Sequence, residues 1–254
     1  MNTSQKGSWQ QLFFLLGLAG VFGSAQAQTT FSLGPQVGLN VTTATYSHNA
    51  VSPYDLHTAP LSRLEVGLVA TMGAGHFLLQ PALLYSQKGF VLKGTLLPTA
   101  SPTSRPIAAQ VTSQLNYLTL PLNFVYAQKA NGEGFRLFGG GYVGLLLGGK
   151  RKVRDEYANT NSFASIYESE SPIKPGNNSA SSTDFYAKRL DAGLQVGLGY
   201  QYQSALVQLT YSAGLTNPAV TYPPLPSENS PSYYNRALTI SLAYLLHPLK
   251  VVKR

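Results

Sequence analysis

Leu190–Tyr202 reads LDAGLQVGLGYQY. Leu190, Leu194, Val196, Leu198 and Tyr200 share one parity. Asp191, Gly193, Gln195, Gly197 and Gln201 share the other. A period of two over this length predicts a β-strand with two distinct faces. The second face decides the fold. A soluble sheet turns Lys and Glu towards water, but here the polar stripe is small and almost uncharged. Such a stripe suits a crowded interior, which leaves the Leu/Val/Tyr stripe pointing outward. An outward apolar stripe is tolerated by lipid.

The same alternation recurs along the chain. Phe31, Leu33, Val37, Leu39 and Val41 alternate with Ser32, Gly34, Gln36, Gly38 and Asn40. Tyr234, Leu238, Ile240, Leu242 and Tyr244 alternate with Asn235, Ala237, Thr239, Ser241 and Ala243. Weaker versions occupy 61–73, 76–90, 112–128, 134–148 and 204–216, of which 134–148 is the least regular. The reading is therefore eight strands, each long enough to exceed the ~9–11 residues that cross a bilayer. No helical period follows the N-terminal segment.

Loop lengths sort by end. Long connections near 47–61, 91–111, 149–183 and 217–233 alternate with tight turns at 73–75, 129–134 and 203–204. An even-stranded transmembrane barrel has this pattern, with short periplasmic turns, long outer loops and both termini periplasmic. The expected fold is an all-β, eight-stranded, antiparallel up-and-down barrel. Under that topology Phe31, Phe77, Tyr126, Phe135, Tyr200 and Tyr244 fall on outward parity at the periplasmic ends. Tyr85, Tyr211 and Tyr234 do so towards the outer ends. Together they predict two aromatic girdles.

Composition agrees. The 254 residues hold 18 Lys+Arg and 10 Asp+Glu, or 11% charged, against ~25% in soluble domains. With 44% hydrophobic residues the chain has too much apolar content for disorder. The absence of cysteine excludes disulfides and thiolate metal sites. Residues 1–27 read as a signal peptide: Lys6, the apolar run 12–22, and Ala25-Gln26-Ala27 as the cleavage site. The mature barrel domain then spans 28–254.

Several stretches resemble a known family. They are FSLGPQVGLN (31–40), LQPALLYSQKGF (79–90), LNYLTLPLNFVY (115–126), GGYVGLLLGGK (140–150), LDAGLQVGLGYQY (190–202) and LTYSAGLTN (209–217). They resemble the outer-membrane β-barrel domain family of Bacteroidota, which includes PorT-like and "porin family" proteins. The resemblance covers nearly all of the mature chain. It implies an eight-stranded barrel in the outer membrane and no particular substrate. Members of that family tend to end on an aromatic residue near Tyr244, whereas this chain continues with LLHPLKVVKR.

Chemistry-bearing residues are few. His48, His57, His76 and His247 lack metal-type spacing. No nucleophile motif accompanies Asp55, His57 or the loop serines. The expectation is no catalytic, metal or cofactor site. Lys150, Arg151, Lys152 and Arg154 form the densest basic cluster and are candidate contacts for lipopolysaccharide phosphates. The export signal argues against nucleic acid as their partner. Arg63, Glu65, Arg189 and Asp191 fall on inward parity near the outer end, with Lys88 nearby. They predict a charge network that fills the lumen, because buried charges must pair. Arg136 is inward too, but at the periplasmic end.

The expected role is a monomeric barrel with a structural or surface-interaction function. Its partners are outer-membrane lipid, lipopolysaccharide and a surface or secretion-system protein. The alternatives are a small channel or PorT-like secretion accessory, a rim-active lipid hydrolase, acyltransferase or protease, and a soluble ligand-binding barrel.

Overall fold

The computed structural model describes residues 30–47, 54–96, 106–157, 165–176, 185–220 and 232–246. The signal-peptide residues, His48 and His247 lie outside them. The strands are β1 (Thr30–Ser47), β2 (Tyr54–Ala59), β3 (Leu61–Ala74), β4 (Phe77–Leu96), β5 (Ala108–Ala127) and β6 (Gly134–Tyr157). They continue with β7 (Ser165–Pro175), β8 (Phe185–Ala187), β9 (Leu190–Tyr202), β10 (Ala205–Gly214) and β11 (Ser232–Tyr244).

Eight of these close a ring. Antiparallel pairing runs β1–β3–β4–β5–β6–β9–β10–β11 and returns from β11 to β1. Closure pairs both edges of each of the eight ring strands, as a membrane span requires. Register partners lead from Val41 to Leu238, Tyr211, Val196, Gly139, Phe124, Leu79, Met72 and back to β1 at Phe31. The ring therefore closes with a stagger of ten residues on β1. With ~3.3 Å rise per residue and ~4.8 Å between strands, that stagger tilts the strands by about 40°. Each residue then climbs about 2.5 Å along the barrel axis.

The two faces follow the sequence parity. On β9, Leu190, Leu194, Val196, Leu198 and Tyr200 are all exposed, while Asp191, Gly193, Gly199 and Gln201 are buried. β1 and β11 behave alike. From Phe31 to Val41 the exposed apolar belt covers about 25 Å, the height of a barrel's lipid-facing band.

The tight turns close as their residues dictate. Gly75 and Gln203 carry the positive φ, at 62° and 50°, of the two short hairpins. In the third, the Gly132 amide donates to the Lys129 carbonyl at 2.9 Å.

The outer side corrects the expectation of long loops. Strands β4 and β5 are each 20 residues long and β6 is 24. That is about twice the length of a membrane crossing. Their upper halves form a sheet above the belt, ordered β2–β4–β5–β6–β7–β8. The segments 54–59, 91–96, 108–111, 149–157 and 165–175, read as loop, are strand. Their polar alternation gave no lipid-facing signal, but backbone pairing needs none. Pro60 separates β2 from β3, and the ladder between β1 and β3 stops at Leu61.

Irregularity in 134–148 also has a cause. A β-bulge interrupts the β5–β6 register after Tyr117↔Leu146, so that Asn116 pairs with Gly148. The extra residue, Leu147, reverses the parity of everything beyond it on β6.

Candidate functional site

The lumen is where the general geometry of a barrel becomes particular to this chain. Its outer half centres on Asp191, which is fully buried. Lys88 Nζ donates to Asp191 Oδ2 at 2.8 Å. Asn235 Nδ2 donates to the same oxygen at 3.2 Å, and Tyr142 Oη reaches it at 3.4 Å. Thr216 Oγ1 donates to Oδ1 at 3.2 Å. The Lys88 ammonium also lies 4.0 Å from the Tyr142 ring centroid and 5.4 Å from that of Tyr117. A buried charge is tolerable when its partner and remaining lone pairs are satisfied, and here they are.

Five strands supply this plug: β4 brings Lys88, β5 Tyr117, β6 Tyr142, β9 Asp191 and β11 Asn235. Lys88, Tyr117, Asp191 and Asn235 lie near one level, about 28 Å above Phe31 by the strand tilt, and Tyr142 reaches up to them from about 8 Å below. Tyr142 reaches across because Gly193 opposite has no side chain. A Cβ at Gly193 would lie 2.7 Å from the Tyr142 ring.

Below the plug, polar side chains bridge the lumen. Thr239 Oγ1 donates to Asn40 Oδ1 at 2.7 Å, and Asn40 Nδ2 donates to Ser86 at 3.1 Å. Gln195 donates to Asn123 at 2.7 Å, and Gln80 to Gln208 at 2.9 Å. The periplasmic half keeps the buried polar residues read from the sequence, among them Ser32, Gln36 and Gln201, and adds apolar clusters between them. Val69, Ala82, Leu84, Leu206, Ala243 and Leu245 form one buried cluster there, and Leu78, Val125, Ala127 and Phe138 another. Arg136 closes the floor, with Nε donating to the Gly132 carbonyl at 2.8 Å. The void that remains among these side chains is about 50 Å³.

The five residues read as one lumen network separate. Lys88 and Asp191 pair directly. Glu65 borders the same void, with Ser86, Asn40 and Lys88 around its carboxylate. Arg63 instead donates to the Ser62 carbonyl at 3.1 Å. Arg189 is a correction: it is exposed on the outer rim. β9 starts at Leu190, so residue 189 sits in a bend where strand parity does not apply. Tyr142, Tyr117 and Asn235, which the sequence does not single out for the network, complete the site. The signal was present for Tyr142, whose parity on 134–148 is inward.

The basic cluster also divides. Beyond the bulge, Lys150, Lys152 and Arg154 face outward and are exposed. β7 brings glutamates against them. Lys150 and Lys152 reach Glu170 at 2.8 and 3.1 Å, while Arg154 reaches Glu156 at 3.4 Å and Glu168 at 3.8 Å. The Lys150 hydrogen bond, joined by that of Lys152, lowers the Glu170 pKa. The Glu170 hydrogen bond and charge raise that of Lys150. Arg151 points the other way, its guanidinium 4.1 Å from the Phe185 ring centroid.

On the outside, Phe31, Phe77, Tyr126, Phe135, Tyr200 and Tyr244 are exposed within about 7 Å of one level. Phe77 packs on Tyr126 and Phe135 on Tyr200, at 5.6 and 5.1 Å between ring centroids. Tyr85 and Tyr211 are exposed about 20 Å higher. Tyr234 stands higher still and is half-buried. Asp55 and His57 are exposed on β2. His76 stacks on Tyr126, and its Nδ1 lies 2.9 Å from the Ala127 carbonyl.

Solved structures with a similar fold are distant. Ail, the attachment invasion locus protein of Yersinia pestis, has 7% identity and a TM-score of 0.40, with 85% of this chain and 99% of Ail covered. Neisserial surface protein A gives 9% and 0.36, covering 84% and 96%. OprG from Pseudomonas aeruginosa gives 13% and 0.38, covering 87% and 98%. No curated protein sequence matches the chain. The model of one family, described as outer membrane protein beta-barrel domain, matches residues 25–219. The chain belongs to that outer-membrane β-barrel family, and its place is the outer membrane.

Proposed function

We propose that this protein is a non-conducting outer-membrane barrel with a structural or surface-interaction role. The observation that carries the reading is the packed lumen. The Lys88–Asp191 pair with Tyr142 and Tyr117, the cross-lumen amides and the apolar floor leave a void of about 50 Å³. That is room for a few waters and no solute path.

The sheet above the belt supports a role at the surface. It raises β6 and β7 clear of the membrane, and Ile166 and Tyr167 on β7 are 52% and 61% exposed. Exposed apolar side chains on a strand that, among the described residues, pairs on its second side only at 173–175 suit a protein partner.

The test is conductance. Purified protein inserted in a planar bilayer gives no steady current steps. A stable open channel in the wild type overturns the filled-lumen reading and favours the small-channel alternative.

A further inference from the structure

Three of the four cations in the basic cluster that the sequence singles out, Lys150, Lys152 and Arg154, are paired with Glu168 and Glu170 of β7 and Glu156 of β6. A second pair of cations is not. Lys188 and Arg189 lie between β8 and β9, both exposed, and neither makes an ion pair among the described residues. They line a groove of about 660 Å³ together with Pro175, Gly176, Tyr186, Leu190, Thr216 and Asn217. The one carboxylate close in sequence on β9, Asp191, is buried in the lumen plug and already bonded.

The height of this groove gives it meaning. Leu190 and Leu215 stand at its lower edge, 59% and 62% exposed. Both lie about 30 Å above Phe31, about 5 Å beyond the top of the lipid-facing belt at Val41 and so at the headgroup level. Lys188 and Arg189 follow within one turn of chain above them. The bend at 188–189 is what puts Arg189 outside. The Arg189 carbonyl accepts from the Leu146 amide at 2.7 Å, and the Lys188 amide donates to the Pro218 carbonyl at 2.9 Å, so the backbone there is fixed. Apolar side chains directly below and two unpaired cations directly above match an amphiphile whose acyl chains lie along the barrel and whose phosphate sits at the interface.

We infer that the Lys188–Arg189 groove binds the phosphate of an outer-leaflet glycolipid of lipid A type. The inference rests on the outer-membrane placement of the barrel. It assigns lipid contact to residues 188–189 and away from 150–154.

Protein folded into detergent micelles is mixed with lipid A or with lipid A stripped of phosphate, and bound lipid is counted by native mass spectrometry. Wild type retains phosphorylated lipid A and binds the stripped form about tenfold more weakly. Lys188→Gln/Arg189→Gln loses that preference, whereas Lys150→Gln/Lys152→Gln keeps it. A heat-modifiable band on gels checks that each variant is a closed barrel, so failure of the barrel reading is seen separately. The inference is overturned if folded Lys188→Gln/Arg189→Gln binds lipid A as wild type does. Loss of the preference only in the 150/152 variant overturns it too, as does full displacement of lipid A by inorganic phosphate alone.

Discussion

Replacing Asp191 with Ala leaves Lys88 buried at 6% exposure, with its counterion gone and two tyrosine rings beside it. Asn235, Tyr142 and Thr216 lose their acceptor in the same step. Removing one partner of a buried pair costs about 3–5 kcal/mol, because the other charge stays behind. With an m-value of about 3 kcal/mol/M, the urea midpoint falls by about 1–1.7 M. The assay is equilibrium unfolding in micelles, followed by far-UV circular dichroism. Lys88→Met/Asp191→Leu removes both charges, so it recovers at least half of the loss. The floor of the lumen is untouched in Asp191→Ala, and no conductance follows. A midpoint shift below about 0.3 M, under 1 kcal/mol at that m-value, would show that the pair is solvated and the plug is misassigned.

Three further outcomes follow from the same geometry. Gly193→Val drives a side chain into the Tyr142 ring and the Ala213 carbonyl, and costs about 1–3 kcal/mol in the same unfolding assay, whereas Gly193→Ser costs less. The chain has no cysteine, so Ala74→Cys and Tyr167→Cys each give a single thiol. An impermeant maleimide on intact cells labels position 167 and leaves 74 unlabelled, and the reverse pattern inverts the topology. Glu170 titrates below its ordinary 4.5, and the Lys150–Glu170 tie holds upward from the ordinary carboxylate range. It is lost as pH falls through the depressed Glu170 pKa, or as pH rises past the elevated Lys150 pKa. A carbon-13 titration of the Glu170 carboxyl checks this: a midpoint at or above 4.5 contradicts it, and Lys150→Ala moves the midpoint up.

Parity was the readable part of this chain. Wherever a strand ran without interruption, as in β1, β9 and β11, alternate residues named the lipid face and the lumen face correctly. Inward residues such as Lys88 and Asp191 could therefore be placed before any contact was seen. Parity failed where the backbone stopped being a regular strand. The bend before Leu190 took Arg189 out of the lumen, and Leu147 at the bulge turned Lys150, Lys152 and Arg154 outward. Neither event has a composition signal, because a bulge or a bend is a property of the backbone pairing and not of residue type.

The outer sheet was illegible for a different reason. Above the membrane the outer face meets water and only part of the inner face is covered, by the cluster of Leu115, Tyr117, Leu146, Ile173 and Ala187, so the long apolar stripe ends while the backbone ladder continues. The glutamates of β7 lie about 20 residues from the lysines they meet. Only the pairing of β6 with β7 brings them together.

Closure of the ring is the central claim, and the seam between β1 and β11 tests it. Leu39 and Ile240 are register partners there, 201 residues apart and both facing lipid. Directly opposite positions lie about 4.5–5.5 Å apart at Cα, within disulfide reach. Leu39→Cys/Ile240→Cys, expressed in cells and oxidised, forms the cross-link in the outer-membrane fraction. The oxidised protein then keeps its fast-migrating form on gels at temperatures that unfold the reduced form. An uncross-linked pair in protein that still folds, or protein recovered from the soluble fraction, contradicts the closed barrel.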